Sequence, residues 1–379
     1  MKKFFKHAML FAAACTLSAG MVSCSDDNNG NNDDDSYAAN LDYGTDNAEQ
    51  WANYMTTVSG LLKTDAQTLY DEWNNRYAAL FKTHNSNEYP SAISCVEQIL
   101  DGCIDISNEV GDSKIGDPYH KYVGGNTTEA LYAVESWYSW HSRQDYRNNI
   151  YSIRNAYYGT LDGTISDKSL SAALKAKNPE MDTQAKTLIE AAANAIMAIP
   201  EPFRNNINTS ETVAAMNACA NLHDFIAQTL KPYFQNNIND AQTLDPIINQ
   251  YVDVVIMPTY KDLVKKNTAL DTAVRAFKAN PTQANMDACA TAWLEARIPW
   301  ETSEAFLFGP VEEQNLDPNM DSWPLDQKQI VEILKSQDFT NLNWHEGESD
   351  DKIESAQSLR GYHTLEYLIF KDGKARTVK

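Results

Sequence analysis

The sequence predicts an all-α protein built from two packed helical bundles, and three observations carry that reading. Gly and Pro number 15 and 13 in 379 residues, roughly 7% of the chain against about 12% in average usage, which argues against a turn-dense β-sandwich. Apolar residues recur on one face at helical spacing, and alternating strand patterns are almost absent. Finally, 43% hydrophobic content in a chain of this length is enough to bury a core, which excludes wholesale disorder.

Taken in order, residues 1–23 read as an export signal. Lys2, Lys3 and Lys6 form a basic start, and Ala8 to Leu17 form an apolar run about ten residues long, too short to span a bilayer. Gly20-Met21-Val22-Ser23-Cys24 resembles the lipobox at which bacterial lipoproteins are cleaved and acylated, which makes Cys24 the expected lipidation site and membrane anchor. Residues 24–39 form an acidic tether, rich in Asp, Asn, Gly and Ser, that has nothing with which to join a core. Acidic residues directly after such a Cys also resemble the surface-export tag of some Gram-negative lipoproteins. The expectation is an outer-membrane lipoprotein facing the cell exterior, with periplasmic retention as the alternative.

Helices are expected at 46–83, 90–110, 127–158, 167–176, 181–198, 210–231, 241–278, 281–307, 325–336 and 349–371. Leu188, Ile189, Ala192, Ile196 and Ile199 make a one-sided stripe closed by Pro200. Tyr260, Leu263, Leu270, Val274 and Phe277 keep a similar seam after Pro258. Asn126-Thr-Thr-Glu129 and Asn208-Thr-Ser-Glu211 look like capping-box starts. Residues 212–220 and 282–290 agree at six of nine positions, which hints at duplication and at bundles over 40–240 and 241–379. Two irregular stretches interrupt the pattern. Residues 159–166 read as a crossover loop, and 309–324 as a long connection of the kind that carries sites.

A formal charge of −21 disfavours sequence-independent nucleic-acid binding, which needs clustered Lys and Arg, and favours cations as small partners. Cys95 and Cys103 lie about 12 Å apart along one expected helix and cannot bridge each other. No C-x-x-C spacing occurs, so thiol-metal ribbons and thioredoxin-like chemistry are absent.

Three segments carry candidate chemistry. In Gly361-Tyr-His363-Thr-Leu-Glu366 the His and Glu share a helix face, a spacing that suits joint metal ligation or a His–carboxylate hydrogen bond. The same spacing serves ordinary ion pairs, but Tyr367, Leu368, Ile369 and Phe370 point to burial. Trp300-Glu301-Thr-Ser-Glu304 puts two acids on one face of an aromatic helix end stopped by Gly309-Pro310. In the segment from Glu135 to Asp145, His141 and Asp145 are four apart beside Arg143, as a charge pair or two ligands. H-E-x-x-H and its inverted form are absent, as are G-x-S-x-G, P-loop and Rossmann patterns.

In combination these segments resemble a known family. Trp300-x-x-x-Glu304-x-Phe-x-Phe-Gly-Pro, then Asp321-Ser-Trp-Pro-Leu, then Gly361-x-His363-x-x-Glu366 are similar to the imelysin-like family, whose hallmark is G-x-H-x-x-E. The hallmark ends this chain where most relatives carry it in their first half, so the resemblance implies a circularly permuted member. It also implies two helical bundles with the hallmark facing their interface, in an envelope lipoprotein linked to iron uptake. The expected metal ligands are His363, Glu366 and Glu304, with Gly361, Trp300, Glu301, His141, Arg143 and Asp145 around the ligand. Iron or another divalent ion, or an iron chelate, is the expected cargo, with uptake-system membrane proteins as partners. Members were first classed as metallopeptidases, so a peptidase remains an alternative, as does an interaction module in which His363 and Glu366 are a structural pair.

Overall fold

The computed structural model describes residues 47–344 and 348–379. The segments read above as export signal and tether, Cys24, and part of the acidic run at 345–347 lie outside the described residues. The principal helices are α1 (Ala48–Glu72), α2 (Ala92–Asn108), α3 (Ser142–Tyr158), α4 (Pro179–Ala198), α5 (Ser210–Phe225), α6 (Met257–Ala279), α7 (Gln283–Glu301), α8 (Leu316–Asp321) and α9 (Gly361–Ile369). A small antiparallel hairpin, β1 (Phe370–Lys371) and β2 (Lys374–Ala375), follows α9. No described helix is long and apolar enough to cross a membrane.

The helices form two groups. Helix α4 packs on α3 and α5, and α2 packs on α3 and α5. Helix α6 runs along α1 and α7, while α9 lies against α1 and α7. Helix α1 therefore packs with the end of the chain. Side-chain to backbone bonds pin it there: Trp51 Nε1 donates to Leu368 O at 2.8 Å and the Tyr54 hydroxyl to Leu359 O at 2.7 Å. The expected stripes are the buried faces, with Ile189, Ala192 and Ile196 inside α4 and Leu263, Leu270, Val274 and Phe277 inside α6. Cys95, Cys103, Cys219 and Cys289 are free and buried, as small apolar fillers. Burial pushes the Cys219 thiol up to about 12.

Several helix boundaries depart from expectation. The expected helix 127–158 breaks between Thr127–Ala133 and α3, where Ser136 and Trp140 take left-handed backbone. The expected 349–371 helix breaks before Gly361, whose φ is +86°. The connection at 309–324 is itself helical over Pro310–Glu313 and α8. A short helix not foreseen, Gly116–Val123, follows a π-helical turn at Glu109–Lys114. Thr209, rather than Asn208, caps α5 by accepting from Thr212 N, and the Asn126 side chain makes no capping bond.

Two glycines permit close backbone approaches. A Cβ on Gly102 of α2 would stand 2.0 Å from Ala305 O, just beyond α7. A Cβ on Gly361 would stand 2.4 Å from Met320 O in α8. The Gly361→Ala variant therefore has to shift the α8 backbone and adopt positive φ, and we expect it to lose more than about 2 kcal/mol in urea unfolding. Gly60→Ala, whose Cβ would meet only the Arg275 tip at 3.7 Å, should be neutral or gain about 0.5–1 kcal/mol.

Candidate functional site

The close approach at Gly361 brings His363 beside the end of α8. His363 and Glu366 are fully buried on α9. The ring Nδ1 lies 2.9 Å from Glu366 Oε2. The other carboxylate oxygen, Oε1, accepts from the Tyr138 amide at 3.0 Å, the Ser139 amide at 2.8 Å and the Ser139 hydroxyl at 2.7 Å. Glu366 is thus saturated, and it orients the ring so that Nε2 faces outward from α9. Nε2 then lies 3.2 Å from Asp321 Oδ1 and 3.4 Å from Glu135 Oε1. Trp323 closes one side, edge-on to the imidazole at 4.9 Å between ring centroids.

Asp321 is the pivot of a larger buried network. It takes the Trp300 indole N–H at 2.6 Å on Oδ2 and pairs through Oδ1 with Arg297. Arg297, itself fully buried, also pairs with Glu301 and lies 3.4 Å from Asp145 Oδ2. Asn149 of α3 donates to Glu301. On the far side Lys114 reaches Glu135 Oε2 at 3.2 Å, Glu109 Oε1 at 3.5 Å and Glu304 Oε1 at 3.8 Å. Two sets of donor atoms lie close enough to share an ion, Glu135, Asp321 and His363, and Glu301, Glu304 and Asp321.

Carboxylates outnumber cations in this network, and their protonation follows from where the cations sit. Burial opposes charge on Asp321, but Arg297 and then His363 outweigh it and hold this acid well below the usual range. Asp145 is held down to about 2 against burial by Arg297 and His141. Glu135 is lowered by Lys114 and His363, again against burial. Burial raises Glu301 and Glu304 well above a normal Glu. Burial, with Glu109 and Asp321, also pushes Asp317 up to about 7. Burial disfavours the His363 imidazolium, but Asp321, Glu135 and Glu366 more than compensate and raise it well above an ordinary His.

The sequence-derived candidates fall in different places. His363 faces Asp321, while Glu301 and Glu304 belong to the neighbouring donor set that shares this Asp. Glu366 supports the ring of His363 from behind, and Trp300 supports Asp321. Gly361 supplies the close approach. His141 pairs with Asp145 at 2.9 Å, and Asp145 in turn meets Arg297 and the Ser136 hydroxyl. Arg143 turns away, donating to Met197 O, Ile199 O and Glu201. Sequence reasoning missed Glu135, Asp321, Lys114 and Arg297 as site residues. The Asp321-Ser-Trp-Pro segment was visible as a motif, whereas Lys114 sits on a turn with no local signature.

Comparison with known proteins places this geometry in context. The family model described as Imelysin matches residues 9–229 and 256–379. A crystal structure of an imelysin peptidase from Bacteroides ovatus is 56% identical, with a TM-score of 0.89, covering 90% of this chain and 100% of that one. A curated protein named Iron-regulated protein A, from Synechococcus elongatus, is 33% identical over 134 residues. That match covers 34% of this chain, and the chain spans 34% of the relative's length.

The raised groups set a pH dependence. Asp317, Glu301, Glu304 and His363 hold protons in the folded state that the unfolded chain releases at lower pH, so their contribution is full below their unfolded values and is lost as pH climbs through the folded ones. For Asp317 that window runs from an unfolded value of about 4 to about 7. The lowered acids Asp145, Asp321 and Glu135 act oppositely, and their contribution is lost only as pH falls through the acid range. Unfolding midpoints between pH 5 and pH 8 should therefore fall as pH rises, and Asp317→Asn should flatten the slope. A midpoint that climbs with pH would contradict this charge balance.

Proposed function

The chain belongs to the imelysin family, and on that premise we propose that it is a lipid-anchored protein of the bacterial cell envelope that binds iron, as an ion or chelate, for uptake. The carrying observation is the convergence of His363 Nε2 on Asp321 Oδ1 and Glu135 Oε1 at 3.2 and 3.4 Å. Atoms about 2.1 Å from one ion stand about 3.0 Å apart at right angles and about 3.4 Å apart at tetrahedral angles, so these separations suit a shared cation. The ring's second nitrogen on Glu366 supplies the carboxylate–histidine support that metal-ligating imidazoles use. An imidazole with carboxylates suits iron and other divalent ions. The name of the cyanobacterial relative favours iron among them.

His363, Asp321 and Glu135 would hold the ion, and bound there it would offset the carboxylate excess. The lipobox-like segment ending at Cys24 supports the anchor, and the acidic residues after it support display on the outer-membrane surface. A peptidase role, suggested by the name of the Bacteroides relative, has less support here. Hydrolysis needs an open ligand position and a free general base. Glu366 has both oxygens engaged, and Arg297 and Lys114 lie against the other acids.

Loading the soluble domain from Tyr37 to Lys379 with iron(II) under anaerobic conditions, or with manganese, zinc or copper, should leave about one equivalent after desalting. His363→Ala and Asp321→Asn should abolish retention at matched folding, and Glu366→Gln should weaken it about 10- to 100-fold. Affinity should increase with pH, because ligation requires His363 to release its Nε2 proton. No retained ion under any of these conditions would remove metal binding at the hallmark.

A further inference from the structure

The ammonium of Lys114 stands where a ligated cation would have to compete. We propose that Lys114 is a resident counter-ion that a divalent ion must displace from Glu135, so that this residue sets the affinity and reversibility of the site. The inference rests on the metal-binding reading above. Its basis is geometric. Nζ lies 3.2 Å from Glu135 Oε2 and 3.4 Å from Oε1, the oxygen that also faces His363 Nε2. The Lys114 side chain is only 9% exposed, and Glu304 lies 3.8 Å away on its inner side. A cation entering between Glu135 and His363 would meet a positive charge within contact range of its own ligand, and at low local dielectric that repulsion is large.

The backbone around Lys114 supplies an exit. Lys114 ends the π-helical turn that Glu109 begins, and the i to i+5 spacing of such a turn puts the two side chains on one face. Glu109 Oε1 is already 3.5 Å from Nζ and its side chain is 49% exposed. Rotating the long Lys side chain outward therefore exchanges Glu135 for Glu109 without leaving the ammonium unpaired. Both ends of the turn stay anchored meanwhile, since Val110 and Ile115 are fully buried. The ion and the ammonium would thus alternate on Glu135, with Glu109 as the resting place of the displaced charge.

The test measures Mn(II) affinity by calorimetry and by the EPR signal of free ion, at pH 7.5, for the wild type, Lys114→Met, Lys114→Arg and Lys114→Met/His363→Ala. Lys114→Met should bind Mn(II) at least about tenfold more tightly than the wild type, while Lys114→Arg should not. The gain should vanish when His363→Ala is added. The Met variant should also unfold at lower temperature without metal and recover more on adding Mn(II). If its folding fails, Lys114→Gln, which removes the charge but keeps a hydrogen-bond donor for Glu135, carries the same expectation. A wild type that binds, with a folded Met variant that binds no better, overturns the role of Lys114 and leaves metal binding intact. A gain that survives His363→Ala places the ion elsewhere and also overturns it. No binding by the wild type or the Met variant removes the metal reading and this inference together.

Discussion

The burial of Glu366 is the constraint on which the rest of this structure depends. A carboxylate at full burial is tolerated only when its oxygens are satisfied. Here the satisfaction comes from the Tyr138 and Ser139 amides, the Ser139 hydroxyl and the ring of His363. Those donors belong to the segment before α3, whereas Glu366 belongs to α9. One buried acid thus fastens the two helix groups together and fixes which way His363 points. Glu135 lies at the start of the same fastened segment and is delivered to His363 by it. Truncating Glu366 would leave several buried donors unpaired, so its structural weight exceeds that of a single hydrogen bond.

A second constraint is charge. Arg297 is shared among Asp321, Glu301 and Asp145, and Lys114 among Glu135, Glu109 and Glu304. Neither cation belongs to one partner, and burial pushes Glu301 and Glu304 upward even though Arg297 and Lys114 lie beside them. Burial favours protons on those two acids, while the cations favour ionised Asp321 and Asp145. A cation bound there would displace protons from these groups, so its loading would depend on pH.

The helices were legible because burial imposes the 3.6-residue stripe directly on sequence, as at Ile189, Ala192 and Ile196. The hallmark on α9 was legible for the same reason, since His363 and Glu366 stand on one face between buried apolar residues. Glu135 was not legible. It sits in what local periodicity presents as one helix, and the break depends on Ser136 and Trp140 adopting left-handed backbone. Part of what holds that break is the Tyr138 and Ser139 bonds to Glu366, 228 and 227 positions away. Lys114 escaped notice because a π turn has no compositional mark. The acid at 321 was quoted within a motif, yet only the fold shows that it joins the His363 donor set to that of Glu301 and Glu304.

That sharing bears on the kind of binding the site can support. Asp321 Oδ1 already faces both Arg297 and His363, and Oδ2 already takes the Trp300 indole. Any ion ligated by this carboxylate competes with a fully buried guanidinium that has no water to fall back on. Replacing that pairing costs desolvation as well as Coulomb energy, so the net affinity is the small difference of two large terms. A structural metal would be poorly served by such a balance. A cargo that must be captured and then surrendered is well served by it, because a modest change in protonation, or in the position of Lys114, is enough to move the equilibrium either way.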